Sequence, residues 1–263
     1  MPHYATKLTK REEIAFSTMT FHFKKPAGFT FKAGQHVEVK LISPPETDAE
    51  GNSRSFTLAS TPEDPELMIA TRMRDTAFKR VLRTMRLGSE VTIEGPFGSF
   101  ILHNDTLKPA VFLAGGTGIT PFRSIAQHAT KNNLSHTLYL FYSNRRPEDA
   151  AFLKELRQLE KENRNFKFIA TMTEAPARSE SRPPISTNHK RAESESGGEK
   201  SSQPWSGERS YINKEMLAKY LDDFTKPIFY IAGPPAMVAA MRDMLNNAGV
   251  DDDNIRTEEF AGY

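Results

Sequence analysis

The chain has 263 residues, of which 35 are Lys or Arg and 33 are Asp or Glu, so its formal net charge is only +2. This length is sufficient for two domains, and the near balance of charges gives no indication of nucleic-acid binding. The sequence contains no cysteine, which excludes disulfides, thiolate zinc sites, cysteine-ligated iron–sulfur clusters and cysteine nucleophiles within it.

Two further sequence features concern location and metals. Residues 1–13 (MPHYATKLTKREE) lack the hydrophobic core of a signal peptide, and no apolar run approaches the length of a membrane span. We therefore expect a cytoplasmic protein with no membrane span, and we expect a monomer. The seven histidines form no pair with metal-ligand spacing that an acidic residue completes, so we predict no metal site.

The first part of the chain consists of short alternating segments between turn residues. This pattern predicts strands over residues 18–23, 36–41, 55–59, 66–72 and 90–93. Residues 76–86 have apolar side chains on one helical face and are followed by Gly88, which predicts one helix. We interpret residues 1–105 as a small antiparallel β-barrel domain.

The second part of the chain alternates strands with helices. Strands are predicted over residues 111–114, 137–142, 166–171, 228–232 and 254–258, and helices over residues 119–130, 150–161, 214–221 and 235–248. Such alternation is typical of a parallel sheet with crossover helices. Residues 106–263 are therefore predicted to form an α/β parallel-sheet nucleotide-binding domain that follows the barrel.

One segment fits neither pattern. Residues 177–203 are rich in Ser, Glu, Arg, Gly and Pro and nearly devoid of apolar side chains. Such a composition buries too little apolar surface to offset the entropy of ordering. We predict a disordered surface insertion within the second domain.

The most informative stretch is residues 109–121, PAVFLAGGTGITP. An apolar strand is followed at once by three glycines among four residues and then by a helix. Glycines allow a ligand to approach the backbone, and the helix N-terminus offers unpaired N–H groups to a phosphate or pyrophosphate. Because Pro121 stands where the last glycine of the usual dinucleotide fingerprint would fall, a glycine turn required only for strand–helix packing remains the alternative.

A second candidate is the heptapeptide RSFTLAS at residues 54–60. Alternation along a strand places Arg54 and Phe56 on one face and Ser55 and Thr57 on the other. Together they could bind a phosphate, stack against a flat ring and hydrogen-bond a ring nitrogen. Taken alone, the heptapeptide is also compatible with an edge strand that carries a solvated arginine.

Five motifs occur in a characteristic order: RSFTLAS, GPFGSF at residues 95–100, GGTGITP at 115–121, AGPPAM at 232–237 and EEF at 258–260. In this order they resemble the ferredoxin–NADP⁺ reductase-like flavoprotein oxidoreductase family. The resemblance covers nearly all of the chain except the insertion. It implies a stand-alone reductase with an FAD-binding barrel and an NAD(P)-binding α/β domain.

The resemblance assigns the FAD site to the barrel. Arg54 would bind a flavin phosphate, Phe56 would lie against the isoalloxazine ring, and Thr57 would reach its N5 region, with Ser55 beside them. Phe56 stands where family members usually carry tyrosine, and so lacks a hydroxyl. The site would be completed by the next strand and the following helix start, with Thr76 as a possible N-cap: Thr71, Arg72, Met73, Thr76, Phe78 and Lys79. Core packing is the alternative role for Phe78.

The resemblance places a nicotinamide dinucleotide in the second domain. Its pyrophosphate would lie over Gly116, Thr117 and Gly118, and its ring beside Thr117. At the start of the last helix, Gly233, Pro234 and Met237 would contact the dinucleotide. Ala232, which precedes them, replaces a cysteine found in many family members.

The loop after the second strand of this domain would meet the adenosine ribose. It contains Asn144, Arg145 and Arg146, and the two arginines favour the 2′-phosphate of NADPH. Because the acidic residue Glu148 lies nearby in the sequence, NADH remains the alternative to NADPH.

The C-terminal residues resemble the family's tail, in which an acidic residue and an aromatic residue approach the flavin. By this resemblance Thr57, Glu258 and Phe260 are the candidate catalytic residues. Tyr263 is an alternative ring to stack on the flavin, and a frayed tail is the competing interpretation.

The function implied is transfer of electrons from NADPH or NADH through FAD to a separate carrier protein: a ferredoxin, a Rieske protein or a haem protein. A carrier outside this chain is expected because the chain cannot hold a cysteine-ligated cluster. Two alternatives remain: a flavin or ferric reductase that uses NAD(P)H, and a non-catalytic flavin- or nucleotide-binding subunit of a larger redox complex.

Overall fold

The computed structural model describes residues 3–174 and 205–260. Within these residues the chain forms two sheets in sequence, one antiparallel and one parallel. The predicted insertion at residues 177–203 and the candidate Tyr263 lie outside the described residues. No helix among the described residues is long and apolar enough to cross a membrane.

The first sheet has six strands in the order β4-β3-β6-β1-β2-β5. The two outer strands also meet: Leu58, just after β4, bridges Ile69 of β5, and the Ala59 amide donates to the Met68 carbonyl at 2.7 Å. The predicted antiparallel barrel is therefore confirmed. Its strands are β1 His3–Ala15, β2 Thr18–Lys24, β3 His36–Leu41, β4 Ser53–Thr57, β5 Glu66–Arg72 and β6 Glu90–Phe97.

One barrel strand was not predicted from the sequence. β1 is 13 residues long and mostly exposed, because only Thr6 and Leu8 are buried along it. It pairs with β2 on one side and β6 on the other. Backbone pairing with two neighbours holds this strand in place although its polar side chains give no apolar alternation.

A short helix, α1 (Ala77–Thr84), packs against the barrel core. Its apolar face buries Phe78, Val81 and Leu82 in the barrel core. The Thr76 hydroxyl accepts a hydrogen bond from the Lys79 amide at 3.4 Å, as expected of an N-cap residue.

The second sheet is parallel, with the order β11-β10-β7-β8-β9. This confirms the predicted α/β domain. Helices α2 and α3 cover one face, and α4 and α5 cover the other. The strands are β7 Ala110–Gly115, β8 Leu138–Asn144, β9 Phe166–Met172, β10 Ile228–Gly233 and β11 Ile255–Glu259; the helices are α2 Ile119–Lys131, α3 Leu153–Glu162, α4 Lys214–Ala218 and α5 Pro235–Asn247.

The chain order in this sheet reverses between β7 and β10. The connections from β7 lead outward through β8 to β9, whereas β10 and β11 lie on the other side. In open α/β sheets, ligands bind at such a reversal, beyond the carboxyl ends of the strands. The glycine segment after β7 and the residues after β10 meet at this edge.

Helix α2 joins the two sheets. The guanidinium of Arg123 donates to the Ala59 carbonyl of the barrel and pairs with Glu155 of α3 at 2.7 Å. The Ser124 hydroxyl donates to the Ser60 carbonyl at 2.6 Å. All of these α2 and barrel residues are buried, so the contacts fix the barrel against the edge of the parallel sheet where the crevice opens.

Candidate functional site

The glycine segment continues directly from β7 into α2. Gly116, Thr117 and Gly118 form one turn of 3-10 helix, and Gly116 has a positive φ of 52°. A non-glycine residue adopts this backbone conformation only at a cost of about 1 kcal/mol or more. The predicted order of strand, glycine turn and helix is therefore present.

Two of the glycines are required by packing. A Cβ on Gly118 would lie 2.1 Å from the carbonyl oxygen of Ala232 on β10, and a Cβ on Gly115 would lie 2.3 Å from Sδ of Met237. Gly233 at the end of the neighbouring strand β10 and Met237 on α5 thus pack on the glycine segment. The packing role that the sequence left open applies to Gly118, while Gly116 and Thr117 are partly exposed at the crevice.

On the barrel, Arg54 and Phe56 reach the same partner, as alternation predicts. The guanidinium of Arg54 lies over the Phe78 ring at 5.3 Å, and the Phe56 ring is 5.8 Å from that ring. Arg54 also pairs with Asp48 at 2.7 Å and Glu50 at 2.9 Å. Ser55 points to the other face and is exposed.

The start of α1 adds further positive charge beside Arg54. The Lys79 amine donates to the Arg72 carbonyl at 2.8 Å. Burial, together with the positive charges of Arg74 and Arg54, lowers the pKa of Lys79 to about 8. Burial is the larger cause and the two arginines add to it, so an anionic ligand beside the amine would raise its pKa again.

The candidate catalytic residues Thr57 and Glu258 come together, although 201 positions separate them in the sequence. Burial raises the pKa of Glu258 to about 7, and a hydrogen bond with the Thr57 side chain opposes this rise. The Oε2 atom of Glu258 is buried and has no hydrogen-bond partner among the described residues. Glu258 is the register partner of Ala232, so the carboxyl group lies at the boundary between the crevice and the barrel.

The sequence interpretation missed one member of this group. His36 is the register partner of Thr57 in the β3–β4 pair, and its Nδ1 lies 3.9 Å from Oε1 of Glu258. Its ring packs near Phe97 at 5.7 Å, and Gly98 leaves the space that the ring occupies. The only sequence signal is that His36 begins a strand beside the one that carries Thr57.

The loop after β8 contains the predicted ribose contacts. Asn144 is buried, and its Nδ2 has no partner among the described residues. Arg145 is 74% exposed and lies 3.8 Å from Glu174. A buried amide donor and an exposed arginine are thus available at this end of the crevice.

Arg146 has a different environment from Arg145. It pairs with Asp149 at 3.1 Å and lies over the Phe16 ring at 5.7 Å. The Phe16 amide donates to the Glu148 carbonyl at 2.8 Å. Arg146 therefore ties the β1–β2 hairpin of the barrel to the parallel-sheet domain.

The remaining candidate residues lie at the ends of β5 and β11 and just before α5. Thr71 is buried, and Arg72 and Met73 are partly buried at the end of β5. The Phe260 amide donates to the Gly233 carbonyl at 3.0 Å, which carries the chain from β11 back toward the crevice. Pro234 is the N-cap residue of α5 beside it.

The described residues have the donors that FAD and a dinucleotide require. The barrel surface combines aromatic rings at Phe56 and Phe78 with the positive charges of Arg54 and Lys79. The Asn144 amide and the Glu258 carboxyl lie at the two ends of the crevice edge. Each has a buried atom without a hydrogen-bond partner among the described residues. These groups would hold a pyrophosphate, a flat ring and a ribose.

Comparison with known proteins gives two domain matches in the order of the two sheets. Residues 5–101 match the oxidoreductase FAD-binding domain, and residues 112–203 match the oxidoreductase NAD-binding domain. The glycine betaine monooxygenase reductase subunit of Chromohalobacter salexigens is 27% identical over 92% of this chain and 60% of its own length. The propane 2-monooxygenase reductase component of Rhodococcus jostii is 25% identical over 97% of this chain and 63% of its own length.

Solved structures share the fold. A ferredoxin NADP+ reductase from Neisseria gonorrhoeae, crystallised with FAD and NADP, superposes with a TM-score of 0.72 at 19% identity and covers 98% of both chains. The present chain spans about 60% of the length of the two curated relatives. The two matched domains, in this order and on this fold, show that the chain belongs to the ferredoxin–NADP⁺ reductase-like flavoprotein oxidoreductases, with an FAD-binding and an NAD-binding domain.

Proposed function

We propose that this chain is an NAD(P)H-dependent flavoprotein reductase that passes electrons through FAD to a separate carrier protein. The observation that carries the proposal is the contact between Thr57 on the barrel and Glu258 on the parallel sheet. This contact joins the barrel's aromatic and cationic surface to the crevice that contains the glycine segment. The monooxygenase reductases among the relatives support the choice of function.

The barrel residues would hold FAD. Phe56 would face the flat ring, and Lys79 with the capped start of α1 would meet the pyrophosphate. Arg54 would exchange its present partners, Asp48 and Glu50, for a phosphate. When bound, FAD accepts a hydride from the nicotinamide and releases the electrons to an acceptor.

The residues around the crevice would orient the reaction and control its proton. Thr57 and Ala232 would limit the approach of the two rings, and Gly118 keeps the glycine turn close to β10. Glu258 would hold a proton near neutral pH, because burial raises its pKa to about 7. The tight packing around it would exclude bulk water.

The choice of dinucleotide would depend on Arg145. Arg146 is held by Asp149 and Phe16, whereas Arg145 is exposed and has a long ion pair with Glu174 at 3.8 Å. We therefore keep the preference for NADPH and assign it to Arg145 rather than to both arginines. Glu174, which faces Arg145, would oppose a 2′-phosphate and favour NADH.

A separate ferredoxin, Rieske or haem protein is the proposed electron acceptor. The relatives named as monooxygenase reductases are longer than this chain, and this chain has no cysteine with which to hold an iron–sulfur cluster. A monomer in the cytoplasm remains our expectation.

The test is an anaerobic visible spectrum of the purified protein, titrated separately with NADPH and NADH. We expect a flavin spectrum that bleaches, faster with NADPH. A flavin that stays oxidised with both would contradict the reductase and favour a non-catalytic binding subunit. Bleaching followed by reoxidation with free flavin or ferric chelate, but with none of the carrier proteins, would favour the flavin or ferric reductase.

A further inference from the structure

The linker between the two domains, residues 98–109, contains a buried group of hydrogen bonds that the proposed function does not use. The amide and the Nδ1 atom of His103 each lie 2.9 Å from the Tyr230 hydroxyl on β10. The Arg256 guanidinium on β11 donates to the same hydroxyl at 3.1 Å and to the Ile101 carbonyl at 2.8 Å. His103, Tyr230 and Arg256 form the His103 cluster, which ties the linker to two strands of the parallel sheet.

The hydrogen bonds of the His103 cluster fix the protonation state of the imidazole. A phenol hydroxyl donates one hydrogen bond and accepts two. The Tyr230 oxygen accepts from the His103 amide and from Arg256, so its own proton is donated to Nδ1 of His103. The proton of the neutral ring then lies on Nε2, which donates it to the Lys108 carbonyl at 2.9 Å. The cluster is therefore complete only when the imidazole is neutral.

A second proton on His103 would break this arrangement. His103 and Tyr230 are 7% and 0% exposed, so neither side chain can turn to water without moving the linker. A proton on Nδ1 would face the Tyr230 O–H and leave that buried hydroxyl without an acceptor. Uptake of a proton therefore favours a linker in which the imidazole reaches solvent.

The charged and titratable neighbours of His103 act in the same direction. Burial is the main cause that lowers the pKa of His103, and His136 and Arg256 lower it further, whereas hydrogen bonds with the backbone of Lys108 and Asp105 oppose them. His136 precedes β8, and its Nε2 lies 2.8 Å from the His103 carbonyl. Asp105 is the acidic residue of the linker, and its carboxylate accepts from a linker amide at 3.0 Å.

The start of the linker is fixed to the barrel. A Cβ on Gly34 would lie 2.1 Å from the Phe100 carbonyl oxygen, and the Gln35 side-chain amide donates to the Gly98 carbonyl at 3.0 Å. The Phe100 ring meets Tyr230 edge-on at 5.5 Å. The linker is thus held by the barrel at its start and by the His103 cluster at its middle.

We propose that the His103 cluster is an acid-sensitive switch in the linker, which holds residues 101–108 on the parallel sheet while the imidazole is neutral and releases them when it takes up a proton. In the released linker the imidazole is hydrated and regains its ordinary pKa of 6.5. The released form therefore binds more protons below pH 6.5, and its ratio to the held form rises by at most about tenfold per pH unit, down to the lowered pKa. The switch belongs to the chain alone and does not depend on the proposed cofactors.

The test is amide hydrogen exchange of the full chain, followed by NMR between pH 7.5 and 5, with each rate divided by the intrinsic rate at that pH. The reporter is the amide of residue 103, which the Tyr230 hydroxyl protects. In the wild type we expect its protection to fall below pH 6.5, by up to about tenfold per pH unit. In His103→Gln we expect protection that does not change with pH. Equal pH dependence in both proteins, or none in the wild type, would overturn the proposal.

Two controls separate the switch from a general loss of stability. The Leu58 amide, which donates to the Gln35 carbonyl in the barrel at 3.0 Å, should keep its protection, and a parallel loss at Leu58 would show global unfolding and refute the switch. His128 on α2 also lies at the domain junction, where it pairs with Glu63 of the barrel at 2.8 Å. Protonation strengthens that pair, so His128→Gln should leave the pH dependence at His103 unchanged.

Two further measurements do not require His103→Gln to fold. The long-range proton–nitrogen NMR spectrum of the wild type at pH 7.5 should show His103 with an unprotonated Nδ1, and a proton on Nδ1 would contradict the hydrogen-bond assignment. Arg256→Met removes one tie and one charge that lowers the pKa of His103. It should weaken protection of the His103 amide at every pH and narrow the range over which that protection depends on pH. A range as wide as in the wild type would count against the switch.

Discussion

The depressed pKa of Lys79 predicts that FAD affinity depends on pH. Lys79 lies at the start of α1, and its pKa falls from 10.5 to about 8 in the protein without ligand. A bound pyrophosphate brings negative charge to the amine and so raises its pKa again. FAD binding above pH 8 therefore requires uptake of a proton, and affinity falls as the pH rises.

The expected size follows from the two pKa values. If FAD restores the ordinary pKa of Lys79, 10.5, the dissociation constant rises about tenfold between pH 7 and pH 9, or about 1.4 kcal/mol. Lys79→Met removes this proton uptake. It should also weaken binding at pH 7 by about tenfold or more, since a charge-assisted contact contributes roughly 1.5–3 kcal/mol.

The assay is fluorescence titration of the FAD-free protein with FAD at pH 7, 8 and 9. Glu258 also titrates near pH 7, but Lys79→Met retains it, so the difference between the two pH profiles belongs to Lys79. Lys25→Met is the matched control, because the Lys25 amine also donates to a backbone carbonyl, that of Pro62, and lies over the Phe31 ring. Equal pH profiles for wild type and Lys79→Met would refute the assignment of Lys79 to the pyrophosphate.

Three further predictions concern packing, pH and specificity. Gly118→Ala places a Cβ 2.1 Å from a β10 carbonyl oxygen. It should lower the free energy of unfolding, measured with urea, by about 3 kcal/mol. Gly249→Ala, which has open space and a φ of 87°, should cost about 1–2 kcal/mol, and an equal cost for both would contradict the packing role. Burial lowers the pKa of His103, so the unfolded state binds an extra proton below pH 6.5 and His103 destabilises the folded state on acidification. Between pH 7.5 and 5.5 the urea midpoint of the wild type should therefore fall relative to that of His103→Gln, in which Glu258 and the other titrating groups are unchanged. Arg145→Ala should reduce kcat/KM for NADPH about fivefold, for a loss of roughly 1 kcal/mol at an exposed site, and leave that for NADH unchanged; equal losses with both would place Arg145 outside the 2′-phosphate site.

Most of the fold could be predicted from the sequence because apolar residues recur with a different spacing in the part of the chain that forms each sheet. The alternation over residues 36–41 and the apolar run before Gly115 correspond directly to β3 and β7. β1 was not accessible, since its exposed side chains carry no signal and its stability comes from neighbours that the local sequence does not specify. Gly95–Pro96 was interpreted as a turn between strands, yet β6 continues through it to Phe97.

The arginine pair shows why residue type alone did not define the candidate site. Arg145 and Arg146 are adjacent and of the same residue type, but the structure gives them different neighbours. The barrel hairpin brings Phe16 under Arg146, and Asp149 lies one turn later on the same loop. The Phe16 contact arises from docking of the two domains, about 130 positions apart in the chain, and no local pattern encodes it.

The association of His36 with Thr57 depends on strand register, which the sequence specifies only where the connecting turn is short. A two-residue hairpin fixes the pairing of its strands through its turn type. β3 and β4 are instead joined by residues 42–52, a length that many registers satisfy. A shift of one residue would direct His36 to the opposite face and away from Glu258. The pair therefore exists because the barrel core fixes Val37 and Val39 inward and so leaves His36 on the face that meets β11.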